Sequence, residues 1–324
     1  MVGEMKYILC GAGDYGKKLL NLLGKDNVLC FADKASDIIK ECCGLSVVPY
    51  KDLESIVRSN VGIVICTVIP ENVAEIVLEL NKMDLPYIHA KELAEDIVRD
   101  EAEIYQKMNP RTSFRYEKQY ESLFPFDRMN EAGGLGGYFW QDLWAARKVN
   151  KVMPKVHYDI GSRIDGMIAH LLTYGQKVRL IDIRPLKSEI PGLEFIQADA
   201  TNLDMIKDGT LESISAMCSI EHFGLGRYGD PIDPEACFKV MSAVEKKLAT
   251  CGNFYFSVPI GKEHLEFNGM RVFYASTIID SLPELRLVEL SSYKDGRIQE
   301  NIEVHLFDEA KKGEHGIGLF HFVK

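Results

Sequence analysis

Several features of membrane, secreted and nucleic-acid-binding proteins are scarce in this sequence. The apolar runs near the N-terminus, such as Tyr7 to Cys10, are too short for a signal-peptide core or a membrane span. Lys and Arg (38) are outnumbered by Asp and Glu (48), and the net charge of −10 argues against nucleic acid or an anionic membrane as the main partner. The eight cysteines contain no Cys-x-x-Cys pair, so we expect reduced, buried thiols in a cytoplasmic protein.

What is present predicts two domains. The 324 residues, 46% of them hydrophobic, are enough for two separate cores. Strands and helices alternate twice along the chain, which predicts an α/β fold with two Rossmann-like domains, the second closing in an antiparallel edge. We expect a first domain over 1–92, a helical connector and lid over 93–150, and a second domain over 151–324.

The connector contains the glycine-rich segment 133–137, followed by a helix that carries both tryptophans, one of which is Trp140. Glycines supply mobility, so this helix is a candidate lid over a pocket, with Trp140 contacting substrate. The alternative is that its aromatic residues only dock the helix on the second domain. The two interpretations are compatible.

The first domain opens with a strand over 6–10, a G-x-G-x-x-G turn, a helix that ends at Gly24, and a strand over 28–32. An acidic residue follows 22 residues after the first glycine of the motif, a spacing typical of nucleotide sites. The alternative is that the glycines only permit tight packing of helix on strand. The predicted nucleotide contacts are Gly11, Gly13, Asp14, Tyr15, Gly16 and Asp33.

Residues 10–18, 31–33 and 44–49 of this domain resemble the nucleotide-sugar-binding, Rossmann-like domains of bacterial polysaccharide-assembly proteins. The resemblance implies that the first domain binds a nucleotide or nucleotide-sugar.

The second domain is predicted to begin with a strand over 158–160, a turn at Gly161, and a helix from Ile164. Further strands are expected over 178–182, 193–198, 211–219 and 253–258, with closing strands over 285–290, 303–307 and 318–323. In a doubly wound sheet, ligands bind beyond the carboxyl ends of the strands. The polar residues expected at those ends are Asp159, Asp182, Asp199, Ser219, Glu221 and His222.

This arrangement resembles class I S-adenosylmethionine-dependent methyltransferases. The resemblance implies that the first loop cradles the amino acid part of the cofactor, that Asp182 binds the ribose, and that Asp199 faces the adenine amine. Ser219 to His222 resembles the segment that lines the methyl-transfer site in many small-molecule members. The implied cofactor contacts are Asp159, Gly161, Ser162, Arg163, Asp182, Ile183, Asp199, Ala200 and Ser219.

A closer resemblance, over roughly 138–310, is to an uncharacterised methyltransferase-like family first catalogued from nematode proteins. It is carried by the strings at 138–145, 159–163, 182–186 and 221–230. The chain departs from the usual D-x-G-x-G-x-G loop, because Arg163 and Asp165 replace the later glycines. Arg163 would either crowd the methionine part of the cofactor or pair with its carboxylate.

The predicted function is methyl transfer to a small molecule, namely a sugar, nucleotide-sugar or glycan precursor in polysaccharide biosynthesis. A sugar hydroxyl would need a general base, for which His222 is the candidate. Glu221 would either orient His222 or contact the cofactor. Arg227, Tyr228 and Asp230 would hold the acceptor. Asp230 is also a catalytic candidate, and no metal is expected.

One alternative is that His222 only caps the turn after its strand and that Asp230 and Asp233 only stabilise the loop. The others are a non-catalytic binding module in polysaccharide assembly and a nicotinamide-dependent enzyme using the first domain. The sequence leaves open whether the chain forms a homo-oligomer.

Overall fold

The computed structural model describes residues 5–111, 113–130, 132–133, 135–294, 296–310 and 313–324. The chain divides into two units, residues 1–134 and 135–324. The predicted boundaries at 92 and 150 remain predictions. Gly134 of the glycine-rich segment lies outside the described residues.

The first unit alternates short strands with amphipathic helices. Its elements are β1 (Lys6–Cys10), α1 (Asp14–Leu23), β2 (Val28–Ala32), β3 (Glu41–Cys42), β4 (Leu45–Val48), α2 (Leu53–Ile56), β5 (Val61–Ile65), α3 (Pro70–Lys82), β6 (Tyr87–His89) and α4 (Ala90–Met108). The sheet order is β3-β4-β2-β1-β5-β6, with β3 antiparallel to β4 and the other pairings parallel. This is a doubly wound sheet with its crossover beside β1.

The turn after β1 requires glycine for steric reasons. Gly11 has a φ of +118°, and a Cβ atom at Gly16 would lie 2.1 Å from the carbonyl oxygen of Gly11. Helix α1 therefore starts in direct contact with the turn, and it ends at Gly24, as predicted.

The second unit has a larger sheet. Its elements are α5 (Gly137–Val152), β7 (His157–Ile160), α6 (Ala169–Thr173), β8 (Val178–Asp182), β9 (Leu193–Gln197), β10 (Leu211–Met217), α7 (Ala236–Lys247), β11 (Leu248–Ile260), β12 (His264–Glu266), β13 (Met270–Val272), α8 (Ala275–Asp280), β14 (Arg286–Lys294), β15 (Arg297–Gln299) and β16 (Gly316–Val323).

The order of this eight-stranded sheet is β15-β14-β16-β11-β10-β7-β8-β9. Strands β7 to β11 are parallel to one another, and β16 is antiparallel to both of its neighbours, β11 and β14. The carboxyl ends of the five parallel strands therefore share one edge with the start of β16, since Ile260 pairs with Gly316. This edge carries the candidate site.

Four phenylalanines pack together on the paired strands β11 and β16. Phe254, Phe256, Phe320 and Phe322 are fully buried, and their ring centroids lie 5.2–6.4 Å apart. Each buried ring removes a large apolar area from water, and close ring pairs add about 0.5–1.5 kcal/mol. The predicted antiparallel edge is held by this core.

Three details differ from the sequence predictions. Residues 303–307 were expected to form a strand but form turns, and β15 is the edge strand instead. The helix expected from Ile164 is a wide turn over Ile164–Ile168 that includes Gly166, so regular helix begins only at Ala169. Cys43 and Cys251, expected to be buried, are exposed. Among the described helices none is both long and apolar enough to cross a membrane.

Replacing Gly16 by Ala is expected to destabilise the first unit by roughly 1–3 kcal/mol, because the new methyl group would collide with the backbone of Gly11. Gly13→Ala is the matched control, since a Cβ atom there meets no atom within 4 Å. Native-state hydrogen exchange of peptides from β1 and α1 would measure the difference separately from the second unit. Equal protection in the two variants would contradict the packing argument.

Candidate functional site

A cavity of about 660 Å³ lies at the carboxyl edge of the second sheet. Residues that follow β7, β8, β9 and β10 line it, together with the start of β16 and one face of α5. Its volume falls in the range of about 300–1,000 Å³ that is usual for small-molecule sites. The lining brings together most of the predicted site residues: Gly161, Arg163, Asp182, Ile183, Asp199, Ala200, Ser219, Glu221, His222, Arg227, Tyr228 and Asp230.

Asp159 and Ser162 do not line this cavity but stabilise the loop that follows β7. Both are buried, and the Asp159 carboxylate accepts hydrogen bonds from the backbone N–H (2.9 Å) and the hydroxyl (2.7 Å) of Ser162. Burial raises the pKa of Asp159 to about 6, against the opposing effect of these hydrogen bonds. Gly161 sits between them with a φ of +66°, a conformation that favours glycine.

Asp182 and Asp199 lie at the ends of adjacent strands, β8 and β9, as predicted from their positions in the sequence. The Asp182 carboxylate pairs with the guanidinium of Arg184, at 3.0 Å from Nε and 2.7 Å from Nη2. The Asp199 side chain is exposed and accepts a hydrogen bond from the backbone N–H of Thr201. Each carboxylate therefore retains lone pairs for a ligand.

Arg163 leaves the cavity open. Its guanidinium forms two hydrogen bonds to the Asp165 carboxylate, of 3.1 and 2.8 Å, and 63% of its side chain is exposed. It also lies 5.8 Å from the ring centre of Tyr138. The two residues that replace glycines in the loop thus pair with each other at the cavity edge.

Helix α5 contributes residues that the sequence analysis missed. Tyr138, Gln141 and Asp142, at i, i+3 and i+4, place one polar face on the cavity. Gly166 permits the Asp142 carboxylate to approach, because a Cβ atom at Gly166 would lie 2.1 Å from it. Burial raises the pKa of Asp142. Polar residues at this spacing in an otherwise aromatic helix were the available signal.

Trp140, the predicted substrate contact on α5, does not line the cavity. Its ring stacks on Tyr293, with centroids 6.4 Å apart. The helical phase explains this result, because Trp140 lies one residue before Gln141 and therefore on another face of the helix.

Glu221 and His222 follow β10 and differ in their surroundings. Glu221 is 2% exposed, and its Oε2 has no hydrogen-bond partner in the described part of the chain. Burial raises the pKa of Glu221 to about 8 and lowers the pKa of His222. The His222 Nδ1 lies 2.6 Å from the carbonyl oxygen of Gly269, which can only accept, so Nδ1 carries the proton. In the neutral ring Nε2 is then an acceptor.

The loop after His222 is held by Asp230. Its carboxylate accepts hydrogen bonds from the backbone N–H groups of Gly224, Gly226 and Tyr228, at 2.7, 3.3 and 3.2 Å. The guanidinium groups of Arg184 and Arg227 lie 4.3 and 5.2 Å from the centre of the Tyr228 ring. Asp230 thus shapes the loop, and its predicted catalytic role remains a prediction.

A separate cavity of about 340 Å³ lies in the first unit, lined by Gly11, Gly13, Asp14, Tyr15 and Asp33 among others. The two carboxylate oxygens of Asp33 accept the backbone N–H groups of Ala12 and Ala35, both at 2.9 Å. Gly16 does not line it and acts in packing instead. The predicted nucleotide or nucleotide-sugar site stays a prediction.

Comparison with family models finds one match. Residues 186–282 match the model described as "Caenorhabditis protein of unknown function, DUF268". The match supports the predicted resemblance to that family over this stretch, which contains Glu221, His222 and Arg227. It does not extend to the resemblance predicted for the first unit. Among curated protein sequences, none matches the chain.

Solved structures similar to this chain include three methyltransferases. The 1,6-didemethyltoxoflavin-N1-methyltransferase of Burkholderia thailandensis, solved with 1,6-didemethyltoxoflavin and S-adenosylhomocysteine, is 17% identical over 57% of this chain and 81% of its own, with a TM-score of 0.38. A putative S-adenosylmethionine-dependent methyltransferase from Listeria monocytogenes is 12% identical over 57% of this chain and 98% of its own, with a TM-score of 0.38. An S-adenosylmethionine-dependent methyltransferase from Clostridium acetobutylicum is 13% identical over 59% of this chain and 92% of its own, with a TM-score of 0.40.

These identities and TM-scores are too low to transfer an activity or a ligand. The fold follows from the strand order itself, in which β9-β8-β7-β10-β11 reproduces the doubly wound order 3-2-1-4-5 and β16 adds the antiparallel strand. The predicted fold class, α/β with a methyltransferase-like second sheet and an antiparallel edge, is confirmed.

Replacing Glu221 by Gln is expected to stabilise the second unit at alkaline pH. Because the pKa of Glu221 is raised from 4.5 to about 8 in the folded protein, its contribution to stability is present below pH 4.5 and is lost as the pH rises through 8. The variant does not ionise, so its advantage should grow over that interval to the order of a few kcal/mol. Tryptophan fluorescence during urea unfolding would measure the free energy of unfolding of the second unit, because Trp140 and Trp144 both lie in α5.

The matched control is Glu235→Gln, because Glu235 is exposed and outside the cavity lining. Its unfolding should follow the wild type from pH 5 to 9. A difference between Glu221→Gln and the wild type that stays constant over this range would show that the Glu221 carboxyl titrates normally.

Proposed function

We propose that the second unit binds S-adenosylmethionine and transfers its methyl group to a small molecule. The observation that carries the proposal is the open cavity beyond the parallel strand ends, where Asp182 and Asp199 lie on neighbouring strands beside the Gly161 turn. In doubly wound sheets this crevice at the switch point is the usual ligand site. When bound, the cofactor supplies a methyl group that is already activated by its sulfonium.

The residues present fit such a cofactor. Asp182 can accept hydrogen bonds from both hydroxyls of a ribose, and Asp199 can accept one from an exocyclic amine. Asp142, a buried carboxylate beside the loop, suits the ammonium of the methionine part, and Arg163 suits its carboxylate. Arg163 and Asp165 pair with each other, and both side chains are exposed. The crowding by Arg163 that the sequence leaves open therefore does not close the cavity.

The catalytic contribution of the protein is positioning and proton management. His222 is held by the carbonyl of Gly269 in the tautomer whose Nε2 accepts a proton. The Nε2 atom lies 3.7 Å from Oε1 of Glu221, beyond hydrogen-bond distance, so both groups can face a third partner. Arg227 donates to the same carbonyl of Gly269 at 3.0 Å and so helps to fix this geometry.

The acceptor predicted from the sequence is a sugar, nucleotide-sugar or glycan precursor, held by Arg227, Tyr228 and Asp230. The guanidinium groups of Arg184 and Arg227 beside Tyr228 would favour an acceptor with an anionic group near the loop.

The wild-type protein is expected to bind S-adenosylhomocysteine in isothermal titration, and Asp182→Asn to weaken the binding. Loss of a charged acceptor for the ribose hydroxyls should raise Kd roughly 10- to 100-fold. Asp204→Asn is the matched control, because Asp204 bonds Asn202 outside the cavity lining and its replacement should leave Kd unchanged.

Wild-type protein that binds neither S-adenosylhomocysteine nor S-adenosylmethionine at millimolar concentration would refute the proposed function and leave only the fold. Equal binding by wild type and Asp182→Asn would instead remove Asp182 from the cofactor site.

A further inference from the structure

The cavity is wider than the proposed cofactor site. It extends from Asp199, after β9, to His315, before β16. These strand ends are five strand spacings apart in the sheet, which corresponds to about 24 Å at ~4.8 Å per spacing. The cofactor contacts proposed on the sheet itself occupy the ends of β7, β8 and β9. The part of the cavity between the end of β10 and the start of β16 is therefore available to the acceptor, and we name it the acceptor half. It is lined by Glu221, His222, Pro259, Met270, His315 and Ile317.

The acceptor half contains two buried polar atoms without a hydrogen-bond partner among the described residues. They are Oε2 of Glu221 and Nδ1 of His315, and both residues line the cavity. Their neighbours in the lining include the apolar side chains of Pro259, Met270 and Ile317. A buried polar group without a partner costs free energy, so a ligand that supplies the missing partner is favoured.

An acceptor atom of His222 lines the same cavity, namely Nε2, because the other ring nitrogen of His222 donates to the carbonyl oxygen of Gly269. The neighbouring cations are directed elsewhere. Arg227 donates to the carbonyl oxygen of Gly269 at 3.0 Å, and Arg271 donates to that of Phe223 at 2.6 Å. The Glu221 carboxyl thus has no cation of the described chain paired with it, and its Oε2 has no hydrogen-bond partner there.

We propose that the methyl acceptor is an amine, whose ammonium group binds Glu221 in the acceptor half, so that nitrogen rather than a hydroxyl oxygen receives the methyl group. An ammonium supplies both the positive charge and N–H donors for Oε2 of Glu221 and Nε2 of His222. The inference rests on the proposed function. It also narrows the predicted sugar acceptors to those that carry an amino group.

The reaction balances with groups that are already named. The ammonium first gives a proton to the Glu221 carboxylate and becomes a neutral amine. The nitrogen lone pair then forms a bond to the methyl carbon as the carbon–sulfur bond breaks, and that electron pair returns to sulfur. The positive charge moves from sulfur to nitrogen, and the products are the N-methylated ammonium and S-adenosylhomocysteine.

The protonation state of the Glu221 carboxyl makes the binding of an ammonium ion depend on pH. Burial raises the pKa of Glu221 to about 8, so the carboxyl is neutral in the free protein at pH 6.5 and must lose its proton when a cation binds. Affinity for an ammonium ion should therefore rise by about tenfold between pH 6.5 and 8. The titratable and charged groups around Glu221 are Tyr138 on α5, Cys218 and His222 beside it, Arg227 on the loop and Arg271 on β13.

Methylammonium chloride is a minimal probe, because it carries the proposed group and nothing else. With wild-type protein saturated with S-adenosylhomocysteine at pH 8, 100 mM methylammonium should raise the thermal unfolding midpoint, followed by tryptophan fluorescence, by roughly 2–5 °C over equal sodium chloride. Methanol at 100 mM should give no such rise. Glu221→Gln should abolish the shift, and the exposed control Glu235→Gln should retain it.

The same shift measured on wild type at pH 6.5 should be much smaller, which tests the proposal even if Glu221→Gln does not fold. Equal effects of methylammonium and methanol, equal shifts at the two pH values, or an unchanged shift in folded Glu221→Gln would each overturn the amine proposal. Prior titration of S-adenosylhomocysteine separates this from failure of the proposed function, since the cofactor can bind while the amine does not.

Discussion

The geometry of the candidate site depends on one buried carboxylate, that of Asp159. It accepts hydrogen bonds from the backbone and hydroxyl of Ser162 and from the hydroxyl of Ser215, and the Ser162 oxygen accepts the N–H of Met217 at 3.0 Å. His157 extends the network, because its Nε2 donates to Ser215 at 2.8 Å while burial lowers its pKa to about 3 and keeps it neutral. Side chains thus join β7, the turn after it and β10 inside the sheet, where an unpaired polar group would be costly. The Gly161 turn is consequently held in one conformation.

Much of this arrangement could be predicted from the sequence, because continuous apolar runs bounded by glycine and acidic residues are typical of buried parallel strands. Once β8 and β9 are recognised, Asp182 and Asp199 must lie at one edge, since the carboxyl ends of parallel strands meet there. The G-x-G-x-x-G turn and the stop at Gly24 follow equally from backbone sterics. Local patterns were sufficient for these features.

The remaining features depend on contacts between distant residues. His315 reaches the cavity only because β16 is inserted antiparallel beside β11, which no local pattern indicates. Arg163 does not fill the cavity because its guanidinium forms two hydrogen bonds to Asp165. The helical phase of α5 decides which of its residues face the cavity, and it turns Trp140 towards Tyr293. The turns at 303–307 have strand-like composition, but the pairing position beside β14 is taken by β15.

Two carboxyl groups of the site differ in whether a cation of the chain neutralises them. Asp182 is paired with Arg184, whereas Glu221 is buried without a cation of the chain and is neutral at pH 7 because burial raises its pKa. In the proposed reaction a sulfonium and an ammonium would occupy one cavity, and their repulsion would oppose binding of the second cation. Ionisation of Glu221 on amine binding offsets that repulsion, and the proton that Glu221 then takes from the ammonium restores a neutral pair before methyl transfer. A permanently ionised carboxylate would hold the ammonium in its unreactive form. The raised pKa of Glu221 therefore weakens ammonium binding near neutral pH but favours transfer of the proton to Glu221 and release of the nitrogen lone pair.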